Sequence, residues 1–265
     1  MRAILFDLDG VFYLGGEAIA GAAEVLAWVR EGGIPHLFLT NTTSRPRSAI
    51  AGKLADMGME VGESEILTPP VAAVSWVRQH AMGPVALFVP GATRAEFVAL
   101  PLLDDAREKG ASAVVIGDLG EAWDYLTLNR AFRLLMATPP PRLVALGMTR
   151  YWQASDGLRL DTAPFVKALS HASGVEPVIL GKPDAAFFQA ALDLLGVAAD
   201  ECLMIGDDIR GDVAGAQAAG LRALLVRTGK FQTADLDGDV VPDAVLGSIA
   251  ELPAWWRAEP GDGLA

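Results

Sequence analysis

The sequence predicts an α/β fold whose core is a Rossmann-like, doubly wound parallel sheet. Apolar runs rich in isoleucine, leucine and valine alternate with longer helical patterns along the chain. Near-continuous apolar strands separated by helices are typical of a parallel sheet that helices cover on both faces. Hydrophobic residues make up 52% and charged residues 20% of the 265 residues, which is the composition of a well-buried globular protein.

The strands and helices of this core occur in two blocks, one towards each end of the chain. Gly21 opens the first helix and Gly32 closes it, while Pro46 occupies a first helical turn, where proline is tolerated. The first block is predicted as strand 2–7, helix 21–31, strand 35–40 and helix 46–58. The second block is predicted as strand 177–181, helix 184–195, strand 202–206, helix 212–219 and strand 221–226.

The middle of the chain has a different pattern and is predicted to be an inserted second domain. Pro69 and Pro70 interrupt the alternation. The segment carries its own elements, predicted as helices 71–80, 94–100 and 122–137 and strands 85–89, 113–117 and 143–147. We expect residues 70–174 to form the insertion, with the core divided between residues 1–69 and 175–265. One long doubly wound sheet is the alternative.

Charge, hydropathy and cysteine content exclude several classes of function. The net charge is −12 and no run is rich in lysine or arginine, so neither nucleic acid nor an anionic membrane is an expected partner. No stretch approaches the roughly 18 apolar residues of a membrane span. The single cysteine, Cys202, excludes an intrachain disulfide and a thiolate metal site. No cleavable signal segment precedes the first acidic residue, so a cytoplasmic location is expected.

Two aspartates follow the first apolar strand, in the run AILFDLDGV. Residues two apart in an extended segment face the same side, so Asp7 and Asp9 are placed to act together. Asp7 can attack a phosphorus atom while Asp9 donates a proton. The alternative is that both carboxylates only cap a turn.

A second acidic group follows the strand LMIG, in GDDIRGD. Mg²⁺ takes oxygen ligands and usually only one or two protein carboxylates, which Asp7 and Asp207 can supply. Such an ion also allows an anionic phosphate to approach an acidic site. Asp208 is expected to face solvent. Asp212 opens a helix, where a carboxylate is also favoured simply as a cap.

Hydroxyl, amide and ammonium donors follow two more apolar runs. Thr40 and Asn41 end the run HLFLTN, and Lys182 lies between Gly181 and Pro183 after VIL. The first pair reads equally well as a turn and cap. A lysine in that position can hold a phosphate as a point charge. Ligands bind at the carboxyl ends of parallel strands, so these residues and the aspartates predict one magnesium-dependent phosphoryl-transfer site.

The sequence resembles the haloacid dehalogenase superfamily. Its four motifs are matched by DLDGV, LTN, GKP and GDDIRGD, in the spacing of subclass IIA, whose α/β cap lies between the second and third motifs. Segments such as LNRAFRLLM, MIGDDIRGDV and VRTGKF are similar to the phospholysine phosphohistidine inorganic pyrophosphate phosphatase group within that subclass. The resemblance implies a phosphatase that uses Mg²⁺ and forms an aspartyl-phosphate.

The resemblance also implies a role for each site residue. Asp7 is the nucleophile, Asp9 the general acid and base, and Lys182 stabilises the transferring phosphoryl group. The remaining roles are phosphoryl binding by Thr40 and Asn41, metal ligation by Asp7, Asp207 and the Asp9 carbonyl, and support of this network by Asp212. Tyr151 and Trp152 lie in the cap segment that contacts substrate in the family, although both fit a cap core equally well. Caps of this kind often pair, which implies a homodimer.

Three other functions are compatible with parts of the pattern. A phospho-accepting signalling domain also uses Asp, Thr and Lys around Mg²⁺, but such domains are shorter and have no inserted domain. A non-catalytic scaffold protein would retain the fold without turnover. A haloacid dehalogenase would release halide without needing Mg²⁺. The expected substrate is a small phosphorylated metabolite, whose identity the motifs do not specify.

Overall fold

The computed structural model describes residues 1–154 and 156–258, apart from the side chain of residue 153. These residues form two compact units. The first unit comprises Met1–Thr40, Arg47–Leu67 and the described residues from Lys182 onward, and the second comprises Asn41–Pro46 and the described residues of Thr68–Gly181. None of the helices in the described part of the chain combines the length and apolar content needed to cross a membrane.

Short strands and helices alternate along the described chain. The strands are β1 (Ala3–Asp7), β2 (Tyr13–Leu14), β3 (Glu17–Ala18), β4 (His36–Leu39), β5 (Ile66–Leu67), β6 (Val85–Phe88), β7 (Ala113–Ile116), β8 (Arg142–Ala145), β9 (Tyr151–Ala154), β10 (Gly157–Leu160), β11 (Pro177–Ile179), β12 (Cys202–Gly206), β13 (Arg222–Val226) and β14 (Ala244–Leu246). The α-helices are α1 (Ala22–Glu31), α2 (Arg47–Asp56), α3 (Pro69–His80), α4 (Gly91–Arg94), α5 (Tyr125–Leu135), α6 (Thr162–Ser173), α7 (Ala185–Leu195), α8 (Gly215–Ala218) and α9 (Leu252–Ala258). A π-helical turn, Ile209–Ala214, directly precedes α8.

The sheet of the first unit has six strands in the order β14-β13-β12-β1-β4-β5. All neighbours pair in parallel. Strand β1 lies between β12 and β4, and its five residues are all buried, which explains its unbroken apolar sequence. In register, Asp7 lies beside Leu39, and Gly206 lies beside Leu225. The carboxyl ends of β1, β4, β12 and β13 therefore reach the same edge of the sheet.

Aromatic packing fills the core next to β1 and β4. The rings of Phe6, Phe12 and Phe38 lie with centroids 5.1–5.7 Å apart, two of the three pairs edge to face. All three side chains are at most 1% exposed. Such pairs stabilise the fold beyond the area that they bury. The strand that ends at Asp7 and the strand that Thr40 follows are therefore anchored by one cluster.

Replacing Phe38 with alanine is expected to destabilise the protein strongly. The change removes a fully buried ring and leaves a cavity, which costs about 3–5 kcal/mol in the free energy of unfolding. Urea titration followed by circular dichroism measures this. Leu14→Ala is a suitable control because Leu14 is 58% exposed, so its change should stay within about 0.5 kcal/mol. Equal stabilities of the two variants would contradict this description of the core.

The second unit contains a four-stranded parallel sheet in the order β11-β8-β7-β6. Helices α5 and α6 pack together beside it, with Leu134 and Val166 in the same buried cluster. The ring of Trp123 stacks on Phe88 and on Phe165, with centroids 5.8 and 4.8 Å away. Strands β9 and β10 form an antiparallel hairpin.

The predicted fold class, a parallel α/β core with an inserted α/β segment, is confirmed. The expectation that strand 177–181 joins the first sheet is wrong. Its observed counterpart, β11, pairs with β8 in the second sheet. Three apolar residues are sufficient to form a strand but do not specify which edge it joins. Two predicted helices also differ: 94–100 begins earlier as α4, and 212–219 begins as the π-helical turn.

Candidate active site

Three buried acidic or hydroxyl side chains lie at neighbouring strand ends of the first unit. Asp7 is the last residue of β1, Thr40 follows β4, and Asp207 follows β12. Their exposed fractions are 6%, 7% and 1%. Because β12, β1 and β4 are adjacent and parallel, their carboxyl ends deliver these residues to one edge. The main-chain N–H of Thr40 donates to the carbonyl of Leu67, 3.2 Å away, which ties this end of β4 to β5.

Carboxylate oxygens of Asp7, Asp207 and Asp212 lie within 4.8 Å of one another. Asp212 reaches the other two from the π-helical turn that follows β12. Gly206 makes this approach possible, since a Cβ atom there would lie 2.2 Å from the Cβ of Asp212. The sequence pattern GDDIRGD thus brings two carboxylates to the end of β12, and β1 supplies the third.

Lys182 lies among these carboxylates. Its ammonium group contacts Oδ1 of Asp7 and lies 2.7 Å from Oδ1 of Asp212. The three side chains are only 2–9% exposed. Burial by itself lowers the pKa of Lys182, but Asp212 and Asp7 outweigh it and hold the pKa above its usual value. Lys182 is therefore a fixed positive charge that orients Asp7.

Burial also changes the protonation of the two strand-end aspartates. It raises the pKa of Asp7 to about 7, with Asp212 and Asp207 adding to the shift and Lys182 opposing it. It raises the pKa of Asp207 to about 6, with Asp212 adding to the shift and the N–H of Lys230 opposing it. Three clustered carboxylates thus lie in a site that disfavours their charge, and Lys182 contacts two of them.

This excess of negative charge can be tested by pH. The native protein binds more protons at Asp7 than the unfolded chain between about pH 4 and 7, because the native pKa is raised. Stability from this group is present at low pH and is lost as the pH rises through that window. In chelator-treated protein we compare the free energy of unfolding of Asp7→Asn with that of the native sequence. We expect this difference to shift in favour of the variant by about 2–4 kcal/mol as the pH rises from 4 to 7.5. Urea unfolding of both proteins at the two pH values measures this difference. The same difference at pH 4 and at pH 7.5 would contradict a raised pKa of Asp7 in the native protein.

The residues present fit a divalent cation held by oxygen ligands. Oδ1 of Asp207 is buried and accepts no hydrogen bond from any described residue, whereas its Oδ2 accepts the N–H of Lys230 at 2.7 Å. Buried polar atoms without partners are rare in native proteins and often mark an ion or water. Together with the uncompensated carboxylates, this oxygen is a ready ligand for a hard cation.

Asp208, and not Asp212, caps the turn that follows β12. Asp208 is half-buried and caps the π-helical turn by accepting the N–H groups of Arg210 and Gly211 at 3.0 and 2.8 Å. Asp212 is not the cap: its Oδ2 accepts the N–H groups of Asp207 and Asp208 at 3.2 and 3.1 Å. Asp212 therefore joins Lys182 to the backbone that carries Asp207. The Asp208 side chain is 32% exposed, so it partly faces solvent as well as capping the turn.

Of the other predicted site residues, Asp9 belongs to the first unit, and Asn41, Tyr151 and Trp152 belong to the second. The Asp9 side chain is exposed and is not among the three clustered carboxylates, while the predicted ligand, its main-chain carbonyl, stays a prediction. Asn41 belongs to the second unit, where its Oδ1 lies 3.3 Å from the position that a Cβ atom of Gly181 would take. Tyr151 and Trp152 also belong to that unit, in β9, and are 50% and 43% exposed.

Sequence reasoning missed a fifth strand end, at Thr228, Gly229 and Lys230 after β13. The hydroxyl of Thr228 donates to the carbonyl of Gly10, and Lys230 contacts Asp207 through its N–H and Asp208 through Nζ, 3.2 Å away. The signal was present in the run VRTGKF, where a glycine follows a buried strand. Its contact with Asp207 is made by a main-chain N–H, which no particular residue type indicates.

Comparisons of the sequence with protein families match both ends of the chain. Residues 4–101 match the family described as haloacid dehalogenase-like hydrolase, and residues 179–252 match a HAD-hydrolase-like family. These two matches contain the carboxylate group and Lys182.

Similar proteins extend over nearly the whole chain. The phospholysine phosphohistidine inorganic pyrophosphate phosphatases of Bos taurus and Homo sapiens are 40% and 38% identical over 256 residues, which cover 95% of this chain and 92% of each relative. Among solved structures, a hypothetical protein of Pyrococcus horikoshii has a TM-score of 0.86 at 29% identity, covering 97% of this chain and all of that one. The p-nitrophenyl phosphatase of Archaeoglobus fulgidus has a TM-score of 0.83 at 28% identity, covering 96% and 98%. The chain therefore belongs to the haloacid dehalogenase-like hydrolases and is a phosphatase of that family.

Proposed function

We propose that the protein hydrolyses phosphate esters of small metabolites with Mg²⁺, through a phosphorylated Asp7. The contact of the Asp7 carboxylate with Lys182, itself fixed by Asp212, carries this proposal. A buried carboxylate held at one oxygen has a defined direction for attack by the other. Positioning of this kind supplies a large part of the barrier reduction in phosphoryl transfer.

The reaction follows from the chemistry of the residues. A carboxylate oxygen of Asp7 attacks phosphorus, the bond from phosphorus to the ester oxygen breaks, and Asp9 protonates the leaving oxygen. Asp9 then takes a proton from water, which attacks the same phosphorus and releases phosphate and free Asp7. Lys182, Thr40 and Asn41 are proposed to bind the phosphoryl oxygens, whose charge Lys182 stabilises.

Asp7, Asp207 and the main-chain carbonyl of Asp9 are proposed to hold Mg²⁺. Charge balance supports a bound cation: among these carboxylates, Lys182 contacts Asp7 and Asp212, whereas no lysine ammonium group contacts Asp207 among the described residues. When bound, Mg²⁺ supplies positive charge that compensates these carboxylates and the substrate phosphate. The buried Oδ1 of Asp207 supports this assignment.

The substrate and its recognition are proposed from the relatives. The relatives from Bos taurus and Homo sapiens are named for phospholysine, phosphohistidine and inorganic pyrophosphate, and a solved relative is named for p-nitrophenyl phosphate. We therefore propose a small phosphorylated compound or pyrophosphate as substrate. The second unit would act as the cap, with Tyr151 and Trp152 as substrate contacts and with pairing into a homodimer. A cytoplasmic location agrees with such substrates.

A phosphate-release screen tests the proposal. The purified protein is assayed with p-nitrophenyl phosphate, pyrophosphate, phospholysine, pyridoxal phosphate and sugar phosphates, each with Mg²⁺ and with a chelator. We expect turnover of at least one phosphate compound that the chelator abolishes and Mg²⁺ restores. Undiminished activity in the chelator would contradict the metal assignment. Stable phosphorylation without turnover would instead support a signalling or scaffold role.

A further inference from the structure

The segment Thr228–Lys230 surrounds the carboxylate of Asp207 on one side. Lys230 donates its N–H to Oδ2 of Asp207 at 2.7 Å, so this oxygen is already occupied by a hydrogen bond. The ammonium group of Lys230 lies 3.2 Å from Oδ2 of Asp208, the next residue along the chain. Both acidic residues at the end of β12 are thus held by one residue that follows β13.

The segment is itself fixed to the loop after β1. The hydroxyl of Thr228 donates to the carbonyl of Gly10. Gly10 and Gly229 have φ values of +90° and +62°, which favour glycine. A Cβ atom at Gly229 would lie 2.0 Å from Oδ2 of Asp207 and 2.6 Å from Cα of Gly10. The close fit requires glycine and places the N–H of Lys230 against the carboxylate.

We infer that Thr228, Gly229 and Lys230 form a positioning segment that makes Asp207 a one-oxygen metal ligand and thereby favours Mg²⁺ over larger cations. Oδ1 of Asp207 accepts no hydrogen bond from a described residue, whereas Oδ2 is held by Lys230. Mg²⁺ binds six oxygen ligands in an octahedron and takes one oxygen from each carboxylate, whereas Ca²⁺ binds more ligands and often both oxygens of a carboxylate. The inference rests on the proposed function, because it assigns Asp207 to the metal.

Two matched pairs of variants separate the contacts. Thr228→Val removes the hydroxyl that bonds Gly10 and keeps the shape of the side chain, and Thr228→Ser restores the hydroxyl. Lys230→Pro removes the N–H that holds Asp207, and Lys230→Met keeps the N–H but removes the ammonium group. Circular dichroism establishes that each variant is folded, and isothermal titration calorimetry measures its dissociation constants for Mg²⁺ and for Ca²⁺.

We expect Lys230→Pro to weaken Mg²⁺ binding by about 10- to 100-fold, the usual effect of removing a bond that orients a metal ligand. Thr228→Val should weaken it by about 5-fold, the equivalent of one hydrogen bond. Both variants should lose more affinity for Mg²⁺ than for Ca²⁺. Thr228→Ser and Lys230→Met should keep the native Mg²⁺ affinity within about threefold. Where the proline variant does not fold, the Thr228 pair decides.

Two results would overturn the inference. One is an equal Mg²⁺ affinity for Thr228→Val and Thr228→Ser. The other is a native ratio of Mg²⁺ to Ca²⁺ affinity in Thr228→Val and in Lys230→Pro, where the latter folds. Asp207→Asn distinguishes this failure from failure of the proposed function. If Asp207→Asn binds Mg²⁺ as the native protein does, Asp207 is not a ligand and the proposed metal site is wrong. If it loses Mg²⁺ binding while Thr228→Val and Lys230→Pro keep the native affinity, only the positioning segment is wrong.

Discussion

Replacing Asp7 with asparagine is expected to abolish phosphate release, with kcat falling by at least about 10⁴-fold, the loss typical of removing a nucleophile. The amide has nearly the shape of the carboxylate but is a poor nucleophile towards phosphorus. The ion pair of Lys182 with Asp212, 2.7 Å long, does not depend on Asp7 and should survive. The variant therefore tests the chemistry with little change to its surroundings.

Stability and a matched control separate this loss from unfolding. Asp7→Asn should be at least as stable as the native protein at pH 7.5 without metal, because it removes a buried charge from the carboxylate group. Asp56→Asn changes an exposed aspartate at the end of α2 and should keep the native kcat. Turnover by Asp7→Asn within about tenfold of the native rate would be incompatible with Asp7 as the nucleophile.

Replacing Lys182 with methionine should affect both catalysis and stability. The change leaves Asp7 and Asp212 buried without their shared cation, and breaking a buried ion pair in this way costs about 3–5 kcal/mol. Loss of the charge that is proposed to face the phosphoryl group should lower kcat by about 10²- to 10³-fold. Methionine keeps much of the length and apolar bulk of the side chain, so the charge is the main difference.

The pH dependence of unfolding identifies the cause of this destabilisation. Without Lys182 the carboxylates can escape their mutual repulsion by taking up protons, so the loss of stability should shrink as the pH falls from 7.5 to 5. Urea unfolding of both proteins at the two pH values measures it. Lys182→Arg keeps the charge and should recover part of the stability but less of the activity, because the planar guanidinium differs in shape from an ammonium group. A loss of stability that is the same at both pH values would indicate lost packing instead of lost charge.

The sequence predicts the central strands well because a strand that is buried along its whole length has an unbroken run of apolar residues. β1 and β12 are buried along their whole length, so each appears as an apolar run that stops at a carboxylate. The sequence is less informative for β11, since a three-residue strand pairs with β8 through backbone bonds that its side chains do not encode. Lys182 was found nevertheless, because it is a charged residue between Gly181 and Pro183 directly after an apolar run.

The tasks of the acidic residues could not be assigned from local pattern alone. Asp208 and Asp212 are four residues apart, and each is a suitable residue for the start of a helix. Tertiary contacts decide between them: Asp212 faces Lys182, and Asp208 accepts the N–H groups of the turn. Lys230 contacts Asp207 through its main-chain N–H. Every residue except proline has this group, so the contact cannot be predicted from residue type.

Chemical trapping of the intermediate tests the central claim most directly. The protein is mixed with excess phosphate substrate and Mg²⁺, quenched during turnover and treated with borohydride, which reduces an acyl phosphate of aspartate to homoserine. Mass spectrometry of the peptides should find homoserine at position 7 in the native protein, and none in Asp7→Asn or in native protein quenched without substrate. Rapid phosphate release with an unmodified Asp7, or with homoserine at another aspartate, would contradict a phosphorylated Asp7.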